Sequence, residues 1–238
     1  MYYCIIEAKT EVTEMNDGDL SFPAFPISDV HDPVIGVTGP SGAGKSVFCG
    51  FLRDAGFLVL DCDEIYHRMV AAPSPCTAEL AEAFGDGILT SSGSLDRSAL
   101  AAIVFAPGAG DKLQKLNSIT HKYIREEVRR QTADCLACGD YAGVVIDAPL
   151  LFQAGFDVDC LLTVAVLAPA DVRLSRLTER DGIDADALRA RLDAAPPDEY
   201  YVSHSDMTVI NTGDMQALRR EAAAVAEAML DLLALDET

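Results

Sequence analysis

Residues Gly39 to Ser46 read GPSGAGKS, a match to the pattern GxxxxGK(S/T), and they stand between an apolar run, Val34 to Thr38, and a stretch with helical spacing. That context gives the pattern its chemistry. Glycines let the backbone curl until successive N–H groups point inward around an anion, and the helix that follows turns the positive end of its dipole on the same spot. Gly39, Ser41, Gly42, Ala43, Gly44, Lys45, Ser46 and Val47 together form a candidate cradle for the phosphates of ATP. Lys45 is placed to reach the β and γ phosphates, and the Ser46 hydroxyl to ligate Mg2+.

A phosphate cradle alone does not say whether water or an organic hydroxyl attacks the nucleotide, so the surrounding carboxylates and guanidinium groups matter. Asp61 and Asp63 alternate at the end of an apolar run, Phe57 to Leu60, and on an extended segment both can face a nucleotide cleft. A carboxylate there can orient an acceptor hydroxyl and take its proton. For Asp61 the competing reading is a cap on the helix expected from about Glu64. Asp147 ends the run VVID, where a carboxylate can hold Mg2+ directly or through water. Arg176 and Arg180 are four residues apart on a helical stretch, share a face, and can clamp phosphates.

These side chains need a scaffold, and the apolar pattern supplies one. From Val34 onward, short apolar runs alternate with helical stretches, the pattern of an α/β fold with a mostly parallel sheet. The expected strands are Val34–Thr38, Phe57–Leu60, Val144–Ile146, Leu161–Leu167 and Met207–Ile210, with a helix through about Ala55 and a closing helix from Asp214 to about Leu233. This is a P-loop type sheet of about five strands flanked by helices. About eighty residues between the second and third strands exceed a simple crossover, so a helical insertion is expected at about 66–139, over the edge of the sheet where ligands bind. The core then spans 34–65 and 140–238, and an arginine-rich lid covers about 173–200. Residues 1–33 are acidic and turn-rich, broken by Pro23, Pro26 and Pro33, and read as an extension outside the core.

A formal net charge of -20 argues against general affinity for nucleic acid or anionic membrane surfaces, so a polyanionic ligand needs its own basic pocket. Seven cysteines, an odd number, suit reduced thiols better than a disulfide framework. Cys135 and Cys138 make one CxxC without a second pair, and two thiols on a helix is the plainer reading than zinc. The start lacks the features of a signal peptide, and no apolar run reaches a membrane-spanning length. The expected location is the cytoplasm, and the sequence leaves the oligomeric state open, compatible with a monomer.

Several segments resemble those of one family, the dephospho-CoA kinases. VIGVTGPSGAGKS and LDCDEIYHRMV are similar to its P-loop and its DxD-bearing second strand with a nearby arginine. GSLDRSALAAIVF, LNSITHKYIREEV, DAPLLFQAG, RLTERDG and VINTG follow in the family's order, over about 34–230. The resemblance implies ATP-dependent phosphorylation of the ribose 3'-hydroxyl of dephospho-CoA. It implies Asp63 as the acceptor-side base, Lys45 and Ser46 on ATP and Mg2+, Arg176 as the lid arginine and Asn211 near adenine. Arg68, Arg97, His121, Arg125 and the Leu150–Leu151 segment would line the acceptor pocket. Gln153 departs from the family's glutamate, Lys122 from its proline, and ARLDAAPPDEYY from the usual stretch after the lid, where two prolines end the helix early. A kinase of another nucleoside-like metabolite, or a nucleotide-dependent switch protein without a metabolite acceptor, are the alternatives at this point.

Overall fold

Every residue of Val34–Thr38 is buried, and its apolar side chains serve both faces of a sheet. The computed structural model describes residues 32–181, 188, 192 and 195–236. The expected extension therefore lies almost wholly outside the described residues, as does much of the lid stretch between 182 and 194.

The elements run β1 (Val34–Thr38), α1 (Lys45–Asp54), β2 (Phe57–Asp61), α2 (Cys62–Val70), α3 (Pro75–Phe84), α4 (Arg97–Val104), α5 (Lys112–Cys138), β3 (Gly143–Asp147), β4 (Leu162–Leu167), α6 (Ala170–Asp181), α7 (Asp198–His204), β5 (Met207–Ile210) and α8 (Met215–Asp236), with short 3-10 turns at Asp86–Ile88 and Asp157–Asp159. The strands form one sheet in the order β2-β3-β1-β4-β5. β1 pairs in parallel with β3 and β4, and β4 with β5, as the alternation of strand and helix predicts. Contacts divide the described residues into two units, one within 32–59 and 141–236, the other 60–140.

In the first unit, period-2 alternation sorts the strands onto two faces. Ile35, Val37, Leu162, Val164, Val166 and Val209 pack with Phe48, Cys49 and Leu52 of α1 and with Leu218, Ala222, Val225 and Met229 of α8. Ala165 and Leu167 point the other way, onto Tyr201 of α7. Gly36 on β1 leaves room for the chain that follows β3: a Cβ there would lie 2.8 Å from Cys160 Sγ and 2.9 Å from Leu151 Cδ2. Leu151 is fully buried as a result.

The second unit is helical. α2, α3 and α4 pack against the long α5, whose Leu116, Ile119, Thr120, Ile124 and Val128 are buried. α3 starts on a capping box, Ser74 with Thr77, and has Pro75 in its first turn. Asp96 caps α4, accepting from Ser98 N and Ala99 N at 3.0 Å each. One expectation changes here: β2 ends at Asp61 and α2 begins at Cys62, so Asp61 and Asp63 do not alternate on an extended segment.

Candidate active site

The loop from Gly39 to Gly44 leaves β1 and delivers the chain into α1. Gly44 stands at the helix start in the left-handed region, φ 96°, and offers no side-chain cap. The opening turn of α1 thus has backbone N–H groups to give to a ligand instead. Gly39, at φ 138°, passes so close to the Val166 carbonyl that a side chain would collide with it, which fixes the loop against β4. Lys45 is half-buried, while Ser46 and Val47 are exposed. Beside the strand that feeds the loop, Asp147 pairs in register with Val37 and is 6% exposed. Thr38 Oγ1 donates to Pro149 O at 3.1 Å, and Ala148 N to Val37 O at 3.0 Å, so the segment carrying Asp147 is tied to the end of β1.

Two residues expected around ATP meet at the same loop. Asn211, 5% exposed, donates from Nδ2 to Ala43 O at 2.8 Å and accepts at Oδ1 from Gly213 N at 3.1 Å. Arg176 donates from Nη1 to Gly42 O at 3.1 Å and Ala43 O at 3.3 Å, and from Nη2 to Asn211 Oδ1 at 3.3 Å. A Cβ on Gly44 would strike the Asn211 amide. Arg176 and Asn211 thus hold the loop by its Gly42 and Ala43 carbonyls. The Asn211 amide is thus engaged with the loop itself, a contact between residues 168 apart that no local pattern announces. Arg180, on the same helix as Arg176, is exposed, and Arg173 is buried and pairs with Asp198 at 3.3 Å.

In the helical unit, Asp61 takes the capping role: its Oδ1 accepts from Asp63 N at 2.8 Å and Glu64 N at 3.0 Å. Asp63 is half-buried in the first turn of α2. Arg97 opens α4 and acts electrostatically on Tyr66, whose hydroxyl burial pushes up to about 12 against the pull of that cation. His121 and Arg125 are one turn apart on α5, and burial lowers the His121 imidazole to about 4. Arg68 turns elsewhere: it is 58% exposed and pairs with Glu64 at 3.4 Å. Sequence reasoning passed over its neighbour His67, although the spacing from Asp63 put His67, not Arg68, on the carboxylate's face.

The departures have local explanations. Lys122 donates to Glu79 Oε2 at 2.6 Å, as does the Tyr123 hydroxyl at 2.6 Å, and these bonds hold the Glu79 carboxyl below its usual range while tying α3 to α5. Gln153 has its Oε1 buried and without a hydrogen-bond partner among the described residues, a place where a carboxylate would be a buried charge. Leu150 and Leu151 are core residues. Cys138 Sγ donates to Cys135 O at 3.0 Å in the last turn of α5. A cavity of about 390 Å³ lined by Ala83, Phe84, Ile103, Asp111, Lys112 and Lys115 holds none of the expected site residues.

The sequence pattern of the dephospho-CoA kinase family matches residues 33–217. A dephospho-CoA kinase of Corynebacterium efficiens is 39% identical over 188 residues, 79% of this chain and 92% of that protein. One of Moorella thermoacetica is 38% identical over 191 residues, 80% of this chain and 89% of that protein. Among solved structures, TT1252 from Thermus thermophilus superposes with a TM-score of 0.67 at 31% identity, covering 83% of this chain and 98% of that one. The dephospho-CoA kinase from Campylobacter jejuni shares the fold, with a TM-score of 0.52 at 23% identity, 83% of this chain and 97% of that one. With the pattern spanning more than half of its length, the chain belongs to the dephospho-CoA kinase family.

Proposed function

We propose that the protein transfers the γ-phosphoryl group of ATP to the ribose 3'-hydroxyl of dephospho-CoA, giving coenzyme A and ADP. The observation that carries this reading is the family match over residues 33–217, with the GPSGAGKS loop set between β1 and α1. Phosphoryl transfer asks mainly for positioning and charge stabilisation, and the residues divide along those lines. The loop backbone and Lys45 hold the triphosphate. Asn211 and Arg176 hold the loop. Asp63 orients the acceptor hydroxyl and takes its proton as the oxygen attacks. Arg97, His121 and Arg125, on helices that share one core, supply the acceptor side with two cations and one neutral ring.

Mg2+ fits the residues at the end of β3 and the start of α1. Both candidate ligands, the Asp147 carboxylate and the Ser46 hydroxyl, offer oxygen, and Asp147 stands beside the strand that leads into the loop. Held by the Asp147 carboxylate and the Ser46 hydroxyl, Mg2+ would offset the negative charge of the phosphates. Cytoplasmic residence belongs to the same reading. Among the described residues no helix is long and apolar enough to cross a membrane.

The test is direct. Protein, Mg-ATP and dephospho-CoA are incubated and the acceptor is weighed by mass spectrometry, with a gain of one phosphoryl group expected. A panel of nucleosides and nucleoside monophosphates in an ADP-release assay shows whether another acceptor raises turnover further, which would move the assignment to that acceptor.

A further inference from the structure

Asp63 stands in the first turn of α2, and His67 follows it one turn later on the same face of the helix. Arg68 is one residue further and about 140° round the helix from Asp63, where it pairs with Glu64. The ring of His67 lies against Tyr66, centroids 5.8 Å apart, and within the electrostatic reach of Arg97. Its Nδ1 is buried and has no hydrogen-bond partner among the described residues. Buried polar atoms are nearly always bonded, so an unmet one beside reactive residues points to a partner that arrives with a ligand. Burial, and then the Arg97 guanidinium, lower the imidazole from its ordinary range. An uncharged ring so placed suits a hydroxyl, whereas the neighbouring guanidinium suits a phosphate.

We propose that His67 is an acceptor-binding residue, with Nδ1 hydrogen-bonded to the ribose 2'-hydroxyl that adjoins the 3'-hydroxyl undergoing phosphorylation. The inference rests on the reading of Asp63 as the base for that 3'-hydroxyl. Side chains one helical turn apart have Cβ atoms about 5–6 Å apart, and two neighbouring ring hydroxyls fit between their tips. Asp63 then meets the reacting oxygen and His67 its neighbour, which fixes the rotation of the sugar. His67 is thus a specificity residue that distinguishes ribose from deoxyribose.

The experiment compares dephospho-CoA with its 2'-deoxy analogue. Wild-type kcat/KM is expected to fall about tenfold or more on the analogue, the effect of losing one hydrogen bond to a buried group. His67→Phe is expected to lose a similar factor on dephospho-CoA and nothing further on the analogue. His67→Asn keeps a hydrogen-bonding atom at the δ position and is expected to keep discriminating between the two acceptors, which also serves if the phenylalanine variant does not fold. Equal turnover of the two acceptors by wild-type protein overturns the proposal. Losses that multiply in His67→Phe overturn it as well. Wild-type protein inert towards dephospho-CoA itself removes the functional reading beneath it, a failure distinct from the other two.

Discussion

Asn211→Ala separates two accounts of how the residue after β5 serves ATP. In the structure its amide donates to Ala43 O at 2.8 Å and accepts from Gly213 N at 3.1 Å and Arg176 Nη2 at 3.3 Å. Truncation removes the bond to Ala43 in a site where Asn211 is 5% exposed, and it leaves Arg176 as the remaining side-chain donor to that carbonyl. One buried neutral bond is worth about 1 kcal/mol, and a group left partly unmet adds about as much again, so the loss is about 2 kcal/mol. For a chain of this length that lowers Tm by about 4–8 °C. The ATP KM should rise about tenfold as the loop loosens. Asn211→Asp keeps the shape but turns an acceptor oxygen towards the Ala43 carbonyl and brings negative charge near the phosphates, so ATP KM should rise in the order Asn, Ala, Asp. The assays are melting of nucleotide-free protein and ATP saturation kinetics. An adenine-contact role predicts something else: an unchanged Tm without nucleotide and a lost preference for ATP over GTP. That pair of results would refute the account of Asn211 as a latch on the loop.

Lys45→Ala is expected to abolish phosphoryl transfer, and Asp63→Asn to reduce turnover far more than it weakens ATP, measured by single-turnover transfer and nucleotide titration; equal loss of both in Asp63→Asn removes the base role. His121 contributes to stability through pH. Its folded value of about 4 lies below the ordinary 6.5, so the unfolded chain binds a proton first as pH falls and stability drops between about 6.5 and 4. The gap sets an upper bound of about 3 kcal/mol, reduced by the solvent contact that the residue keeps, and urea melts should show wild-type protein losing more unfolding free energy than His121→Gln between pH 7 and pH 5; equal losses would mean that the ring is not the source. Asn117 Oδ1 is buried without a partner among the described residues, so Asn117→Leu should raise Tm by roughly 2–6 °C, and a fall in Tm would mean that water satisfies it.

The parts of the fold that local pattern controls are the parts the sequence makes legible. β1 and β5 occupy the spans that their apolar runs predict: β1 is buried throughout, whereas β5, at the edge of the sheet, buries only Val209 fully. The GPSGAGKS loop is legible for a related reason: its glycines answer to φ values that other residues avoid. The start of α2 is harder, since Asp61 and Asp63 alternate as they would on a strand, and only the bonds from Asp63 N and Glu64 N to Asp61 show the turn into the helix.

What pattern cannot supply is the use of a side chain by a distant segment. Nothing near Asn211 signals Ala43, and nothing near Gly36 signals Leu151 and Cys160; both contacts exist because the strand order β3-β1-β4-β5 brings those segments together. The acceptor side shows the intermediate case. The spacing of Asp63, His67 and Arg68 contains the helical geometry that puts His67 with Asp63, yet that geometry acts only once α2 is known to begin at Cys62. The start of the helix therefore decides which of two adjacent residues shares a face with Asp63, and a cap at Asp61 sets that start.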